Sequence, residues 1–502
     1  MRGIPSLITD IRKNVFTEVA RMAYAGGDYS GIEDLPYKIV PGDQPLHRES
    51  IFLERAIAGE RLRLAMGLGI RPIQTRTLMT EGMDAAAVAE QYYEPPLINI
   101  IPYACHACPT NRYQVTEHCQ NCLAASCQRV CPKGAISFVN GKSFIDQDKC
   151  VKCGKCASAC PYHAIIHLER PCQASCGMDA ITSDVHGKAV INQDKCVACG
   201  QCLVSCPFGA IVDKGQIFQI IQSILKGDQV IAIVAPAFIG QFSGKVSPAK
   251  FVAGMKVLGF DRVVEVAIGA DMCTIEEAKD FLEKVPAQQD YMATSCCPSW
   301  HSMIEKLYPS EIGKISMTLT PMVFTARLMK KRHPGCKVVF VGPCAAKKLE
   351  AIRADIRSDV DFVLTFEELQ GMFEAKEVDF DALEPDADAL TEGTSAGRGF
   401  AVSGGVAGAV MDLIHQKHPD LEIRTARAEG LRECRKLMAL AKAGKYKGYL
   451  LEGMACPGGC VAGAGTILPV DKAAKLVDKY KKEAVTGSPL ESPYRETGEH
   501  LD

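Results

Sequence analysis

The sequence contains no run of 18 or more uncharged apolar residues, and a helix that crosses a membrane needs about that many. Its opening, Met1 to Asp10, lacks the apolar stretch of a secretory signal. It has almost no net charge, −2 over 502 residues, which excludes the broad basic footprint that drives nucleic-acid binding. No flavin- or nicotinamide-binding module is visible. These absences lead us to expect a cytoplasmic protein with neither a membrane nor a nucleic acid among its partners.

What remains is an ordinary globular composition, 47% hydrophobic and 23% charged, in a chain long enough for two or more domains. The exception is cysteine, at 24 residues. A disulfide scaffold would be short and secreted; in a reducing compartment thiolates serve metals or catalysis instead. Sixteen of the cysteines lie between Cys105 and Cys206, and eight are scattered over the rest.

Residues 1–100 carry no cysteine, and the apolar spacing over 51–66 predicts an amphipathic helix. This part is expected to be a helical N-terminal segment. Residues 101–212 form the cysteine-rich block and contain an internal repeat. Cys131-Pro132-Lys133-Gly134-Ala135-Ile136, followed by Ile145-Asp146-Gln147-Asp148-Lys149-Cys150, is echoed by Cys176-Gly177-Met178-Asp179-Ala180-Ile181 and Ile191-Asn192-Gln193-Asp194-Lys195-Cys196. From 226 to 470 apolar runs alternate with helical stretches: strands are expected over 230–237, 263–270, 337–344 and 449–456, and helices over 248–258 and 275–284. That alternation predicts an α/β domain with ligand residues at strand ends. Residues 471–502 read as a helix, 471–483, followed by a loose tail rich in Ser, Pro, Glu and Gly.

Two runs in the block, Cys150-x-x-Cys153-x-x-Cys156-x-x-x-Cys160-Pro161 and Cys196-x-x-Cys199-x-x-Cys202-x-x-x-Cys206-Pro207, have the bacterial ferredoxin spacing. In it three thiolates wrap one 4Fe-4S cluster and the fourth reaches its neighbour. The stretched run Cys119, Cys122, Cys127, Cys131 supplies the partner of the first. One cluster is then expected on Cys119, Cys122, Cys127 and Cys160, and a second on Cys131, Cys150, Cys153 and Cys156. The Cys196 run is preceded only by Cys172 and Cys176, so Cys105 and Cys108 are assigned to complete it. A third cluster would sit on Cys105, Cys108, Cys172 and Cys206, and a fourth on Cys176, Cys196, Cys199 and Cys202, one ferredoxin-like module inserted within another. Zinc at Cys105, Cys108, Cys172 and a further thiol is the alternative. Four such clusters serve to relay electrons to a buried reaction centre.

Three segments outside the block carry the remaining chemistry. They are Thr294-Ser295-Cys296-Cys297-Pro298-Ser299-Trp300, then Gly342-Pro343-Cys344-Ala345-Ala346-Lys347-Lys348-Leu349-Glu350, then Glu452-Gly453-Met454-Ala455-Cys456-Pro457-Gly458-Gly459-Cys460 and on to Gly465. Two adjacent thiols cannot point the same way, so one of the first pair can bind metal while the other stays free. Together the three segments resemble the signature motifs of the iron-iron (FeFe) hydrogenases, enzymes that interconvert protons, electrons and dihydrogen. The resemblance implies an α/β two-lobed hydrogenase catalytic domain, preceded by α+β ferredoxin-like 4Fe-4S modules and the helical N-terminal segment.

It further implies that Cys297, Cys344, Cys456 and Cys460 hold a 4Fe-4S cubane. Cys460 would bridge to a two-iron subsite with CO, cyanide and a dithiolate bridge, the whole being the H-cluster. Lys347 would donate to a cyanide, and Pro236, Ala237, Met454 and Phe400 would shape the pocket, with Glu350 in the cofactor-holding set. Phe400 and Met454 also suit plain core packing. Glycines 458, 459, 463 and 465 are expected to let backbone approach the cofactor. Cys296 would relay protons, a thiol's ordinary pKa of about 8.5 being close to neutral. Glu277, Ser316 and Asp280 would continue the path, with Lys284 where better-known members carry arginine. Gly342, Met322 and Ala464 depart from the best-known members (methionine, glutamine and glycine there), which suggests a less-studied branch. Cys273, Cys336 and Cys434 lack partner spacing and read as buried hydrophobes.

The expected electron partner is a ferredoxin or flavodoxin, with hydrogenase maturation proteins supplying the subsite. A hydrogen sensor, or a scaffold of the related eukaryotic type that delivers iron-sulfur clusters, are the competing readings. No regulatory domain is visible for the first, and a scaffold has no need of Cys296, Lys347 or Glu350.

Overall fold

The computed structural model describes residues 5–27, 29–86, 94–388, 390–498 and 501. The N-terminal segment is helical over Leu7–Ala25 and Ile51–Ala65; the parts of it at 1–4, 28 and 87–93 lie outside the described residues. Ser6 starts the first helix by accepting from the Thr9 N–H in a capping box. Phe16 of this helix packs so closely on the helix Phe366–Ala375 that a Cβ on Gly371 would come within 2.5 Å of it.

The helix at 51–65 is not amphipathic. Most of its length is buried, including Glu60, Arg61 and Arg63. Each of those charges has a partner: Glu60 pairs with Arg71 at 2.6 Å, Arg61 donates to the Gly209 carbonyl at 2.9 Å, and Arg63 to the Met79 carbonyl at 2.7 Å. Because buried charges with partners look like a solvent face in the sequence, the period misleads.

The cysteine-rich region is built from two-stranded antiparallel ribbons. Ile98–Ile100 pairs with Ile211–Asp213, so the two ends of the region are joined. Within that loop Arg112–Val115 pairs with Ile165–Leu168, closing an inner module. One module therefore lies inside the other in the chain. The repeated turns carry their own hairpins, Ile136–Val139 with Lys142–Ile145 and Ile181–Ser183 with Ala189–Ile191.

Two parallel sheets follow. The first runs Arg262–Glu265, Val230–Val234, Lys337–Gly342, Phe362–Thr365, and the second Tyr291–Ala293, Tyr449–Met454, Arg424–Glu429. Their central strands are buried end to end, as parallel strands covered on both faces must be. Strands were expected at four of these seven positions. The apolar run 263–270 ends as a strand at Glu265, and Ala267–Lys284 is one long helix. Gly269 explains the switch: a Cβ there would lie 2.2 Å from the Pro321 carbonyl oxygen, so the small residues serve a close helix crossing. Arg424–Glu429 carries three charges and no apolar run, because it is an edge strand.

The final helix is Val470–Lys482. Among the described residues after it several are packed on the body of the protein, which corrects the expectation of a loose tail. Tyr494 is buried and donates to Glu392 at 2.7 Å, and Arg327 donates to the Leu501 carbonyl at 2.7 Å. Two anchors suffice to pin a segment whose composition alone resembles disorder.

Candidate metal-cluster sites

Four strands, two from each sheet, end around one cavity. After Val234 the chain turns through Pro236 and Ala237; after Gly342 come Pro343 and Cys344; after Ala293 come Cys296 and Cys297; after Met454 comes Cys456. The cavity has a volume of about 90 Å³ and is lined by Cys296, Cys297, Cys344, Cys456 and Cys460. Pro236, Ala237, Phe400 and Met454 also line it, as expected, and Met322 and Phe340 complete the apolar wall. Four thiols converging from three distant segments on an apolar hollow are a donor set suited to a thiolate-held iron-sulfur cluster and to little else.

Lys347 is the one charged side chain in this wall. Its ammonium donates to Glu350 Oε2 at 2.5 Å, to Thr320 Oγ1 at 3.2 Å and to the Cys296 carbonyl at 3.4 Å. Thr320 in turn donates to Glu350 Oε1 at 2.6 Å. Glu350 is thus placed behind the lysine and does not line the cavity; it holds Lys347 charged and aimed. Thr320 was not found in the sequence, since a threonine before Pro321 reads only as a helix start.

Gly459 and Gly463 line the cavity, and the motif glycines also make room for protein. A Cβ on Gly463 would lie 2.2 Å from the Pro343 carbonyl oxygen, one on Gly459 2.4 Å from the Ser403 nitrogen, and one on Gly465 2.4 Å from Thr365 Cβ. The room they leave is filled by neighbouring protein segments, so they let the loops of the motifs pack on one another. Gly342 behaves likewise: the Phe340 ring lies 2.4 Å from where its Cβ would be. The wider methionine of better-known members has no space here, because residue 340, two along the same strand face, supplies the wall instead.

Cys296 is half-buried. Burial and the nearby Glu277 carboxylate push its thiol well above the ordinary value, further than the modest tuning expected. Glu277 is fully buried, accepts from the Ser295 N–H at 3.2 Å, and is pushed up to about 7 by desolvation. Ser316 hydrogen-bonds the same carboxyl and accepts from the Thr318 N–H at 3.2 Å. Glu277 Oε2 is buried with no hydrogen-bond partner, a free position on the carboxyl. Asp280 and Lys284 form a partly exposed pair at 2.8 Å further along the same helix.

In the cysteine-rich region Cys105, Cys108, Cys172 and Cys206 line one small cavity, and Cys131, Cys150, Cys153 and Cys156 another. Burial raises the thiols of Cys196, Cys199 and Cys202, and neighbouring thiols add to it: Cys176 acts on all three, Cys196 on Cys199 and Cys202, and Cys297 on Cys199. Cys119 and Cys127 both reach Ser143, at 3.4 Å to its N–H and 3.6 Å to its hydroxyl. The thiols line hollows instead of meeting at a point: among the described residues no three His, Cys, Asp or Glu side chains are grouped to hold one metal ion. Cys273, Cys336 and Cys434 are fully buried in apolar clusters.

Comparison with known proteins agrees with this geometry. Residues 228–464 match the iron only hydrogenase large subunit, C-terminal domain. Residues 144–166 match a 4Fe-4S binding domain and 166–217 the LdpA Fe-S cluster-binding domain. The periplasmic [Fe] hydrogenase large subunit of Nitratidesulfovibrio vulgaris is 30% identical over 298 residues, covering 49% of this chain and 70% of that one. The chain belongs to the iron-only, or FeFe, hydrogenase family. Iron hydrogenase 1 of Clostridium pasteurianum is 28% identical over 469 residues, 81% of each chain. The FeFe hydrogenase family also shares sequence with cluster-assembly proteins: cytosolic iron-sulfur assembly component 3 of Bos taurus is 27% identical over 277 residues, 45% of this chain and 58% of that one. Among the described residues no helix is long and apolar enough to cross a membrane.

Proposed function

We propose that the protein is an FeFe hydrogenase that reversibly reduces protons to dihydrogen. The observation that carries this reading is Cys296: a fifth thiol beside four candidate ligands, on the wall of the same cavity and in the electrostatic field of a carboxyl poised near neutral pH. An assembly factor would need the four ligands but neither this thiol nor the buried Lys347–Glu350 pair.

In this reading Cys297, Cys344, Cys456 and Cys460 would hold an H-cluster, a 4Fe-4S cubane with a two-iron subsite carrying CO, cyanide and a dithiolate, and Cys460 would also hold that subsite. When bound, the H-cluster supplies the redox chemistry at which protons and electrons combine. The protein does the rest. Lys347, kept charged by Glu350, offers its ammonium as a hydrogen-bond donor at the cavity wall. The apolar side chains Phe340, Met322 and Phe400 exclude water, so that protons arrive only through the chain's own groups.

Cys296 stays protonated at neutral pH because burial disfavours its thiolate, and it gives its proton inward at Sγ. Glu277, which is half protonated near pH 7, reloads it; its unpartnered oxygen is free to take the next proton, with Ser316 and then Asp280 leading outward. The cysteine sets of residues 101–212 would hold four accessory 4Fe-4S clusters, the last of them on Cys176, Cys196, Cys199 and Cys202, and these would supply the electron relay. A ferredoxin or flavodoxin is the partner outside, maturation proteins supply the subsite, and a cytoplasmic setting suits the cysteine usage.

The test is the infrared spectrum of the chain matured with its two-iron subsite. Metal-bound CO and cyanide bands together with hydrogen evolution from a reduced dye support the reading; a matured chain with its 4Fe-4S clusters but no such bands is an assembly-type protein.

A further inference from the structure

The internal repeat contains the same run twice, Cys150-Val151-Lys152-Cys153-Gly154-Lys155-Cys156 and Cys196-Val197-Ala198-Cys199-Gly200-Gln201-Cys202. The second copy is docked on the catalytic domain. Ser299 Oγ donates to the Val197 carbonyl at 2.9 Å, and Gln201 Nε2 to Cys456 Sγ at 3.2 Å. A Cβ on Gly200 would come within 2.4 Å of Ala464 Cβ. Val197 and Ala198 are accordingly 2% and 6% exposed.

The first copy presents the same face to solvent. Val151 is 55% exposed, Lys152 and Lys155 are exposed, and Cys153 is the one exposed cysteine of the 24. Yet Val151, Lys152 and Cys153 wall the hollow that Cys131, Cys150 and Cys156 share. A loop that is buried core in one copy is bare in the other, directly over a candidate cluster.

The two copies also differ in charge at this face. Where the docked copy has Met178, Ala198 and Gln201, the free copy has Lys133, Lys152 and Lys155. Residues 112–160 carry seven Lys or Arg against three Asp or Glu, in a chain whose overall charge is −2. Met178 and Ala198 are buried in the docked copy, where a lysine would lose its water. In the free copy the three lysines surround the exposed thiol with positive charge, which draws in and orients an acidic surface.

We infer that the face around Cys153 is the docking site of an acidic protein carrier of single electrons, seated on Val151 as the catalytic domain is seated on Val197. This deepens the proposed function and rests on it. In each encounter the reduced carrier loses one electron, the cluster behind Cys153 gains it, and the oxidised carrier leaves; the direction reverses when dihydrogen is consumed. No bond is made or broken.

The experiment uses the full cluster-loaded chain and an acidic bacterial ferredoxin. Binding of the oxidised ferredoxin is titrated by calorimetry, and bleaching of the chain's clusters by the reduced ferredoxin is followed by stopped flow. The K133M/K155Q variant copies Met178 and Gln201 of the docked copy, and neither lysine walls the hollow, so it keeps the fold and the cluster. It should weaken binding and slow bleaching about tenfold at low salt, with the difference shrinking as salt rises, whereas bleaching by a small dye should stay unchanged. K475Q/K479Q/K482Q, on the last helix, should match the parent. Parental binding by K133M/K155Q overturns the inference, as does equal weakening by the control variant, or tighter binding of anionic vesicles or RNA than of ferredoxin to the same lysines. Bleaching needs no hydrogen turnover, so lysine-dependent bleaching in a chain without CO and cyanide bands would sink the hydrogenase reading and leave the docking face standing.

Discussion

Gln201 and Cys456 stand 255 positions apart in the chain, and the amide Nε2 of the first lies 3.2 Å from the sulfur of the second. One belongs to the second copy of the cysteine repeat and the other to the third signature motif, so the cysteine-rich region and the candidate catalytic site are joined at a candidate ligand atom. A hydrogen bond to a cluster sulfur stabilises the more negative, reduced state. Q201L should therefore lower the potential of the catalytic cubane. A net bond worth about 0.5–1.5 kcal/mol corresponds to roughly 20–60 mV for one electron, readable in an EPR redox titration; an unchanged potential would mean that Gln201 only packs.

Replacing Cys296 separates proton delivery from metal binding. C296A should reduce turnover about 10²- to 10⁴-fold, the range for loss of a positioned acid, while iron content and the CO and cyanide bands stay as in the parent. Loss of the cofactor instead would mean that Cys296, and not Cys297, is the ligand.

The Lys347–Glu350 pair is buried, with 2.5 Å between ammonium and carboxylate. K347M alone leaves Glu350 buried without its cation and should destabilise the chain by about 3–5 kcal/mol. Adding E350Q should restore most of that loss, seen as recovery of the unfolding midpoint. If the ammonium holds the two-iron subsite, the double variant regains the fold and the 4Fe-4S clusters but not the infrared bands.

Glu277 predicts a stability change with pH. Its carboxyl keeps a proton up to about 7 in the fold, against 4.5 for an ordinary glutamic acid. Between those values the native state binds the proton more tightly than the unfolded chain. The stabilisation is therefore complete below pH 4.5 and is lost as pH rises through 7, a span of about 3 kcal/mol. E277Q does not titrate in that window. Its unfolding midpoint, measured on the cluster-free chain, should gain on the parent from pH 5 to pH 7 and level off by pH 8; parallel curves would show that the carboxyl ionises as in water.

The candidate ligands could be picked out of the sequence and the residues that support them could not, for a physical reason. Thiolates that wrap a cluster must sit at fixed short spacings, so Cys150, Cys153 and Cys156 can be read locally, and the assignment of Cys105 and Cys108 beside Cys172 and Cys206 is matched by a shared cavity. Thr320 and Gln201 act through contacts that exist only after folding and leave no period. The strand Arg424–Glu429 escaped because an edge strand needs no apolar run, and the helix Ala267–Lys284 because its Ala and Gly residues serve a close crossing. Glycines 459 and 463 were read correctly as sites of close approach, but what approaches is Ser403 and Pro343.

The hollow shared by Cys105, Cys108, Cys172 and Cys206 decides between a third accessory cubane and zinc. Four accessory cubanes, a catalytic cubane and a two-iron subsite amount to about 22 irons per chain. Cys172 is buried, and burial with Cys206 beside it pushes its thiol up to about 12, so it ionises only when metal displaces the proton. C172S should therefore empty this site selectively, because the fourth set at Cys176, Cys196, Cys199 and Cys202 keeps its own ligands. If a cubane is present, iron falls by about four per chain and one reduced-cluster EPR signal disappears. With zinc there instead, the parent holds about 18 irons and one zinc, and the variant loses the zinc alone. The second outcome would break the relay between the outer module and the Cys199 set, and electrons would have to reach the catalytic domain by another face.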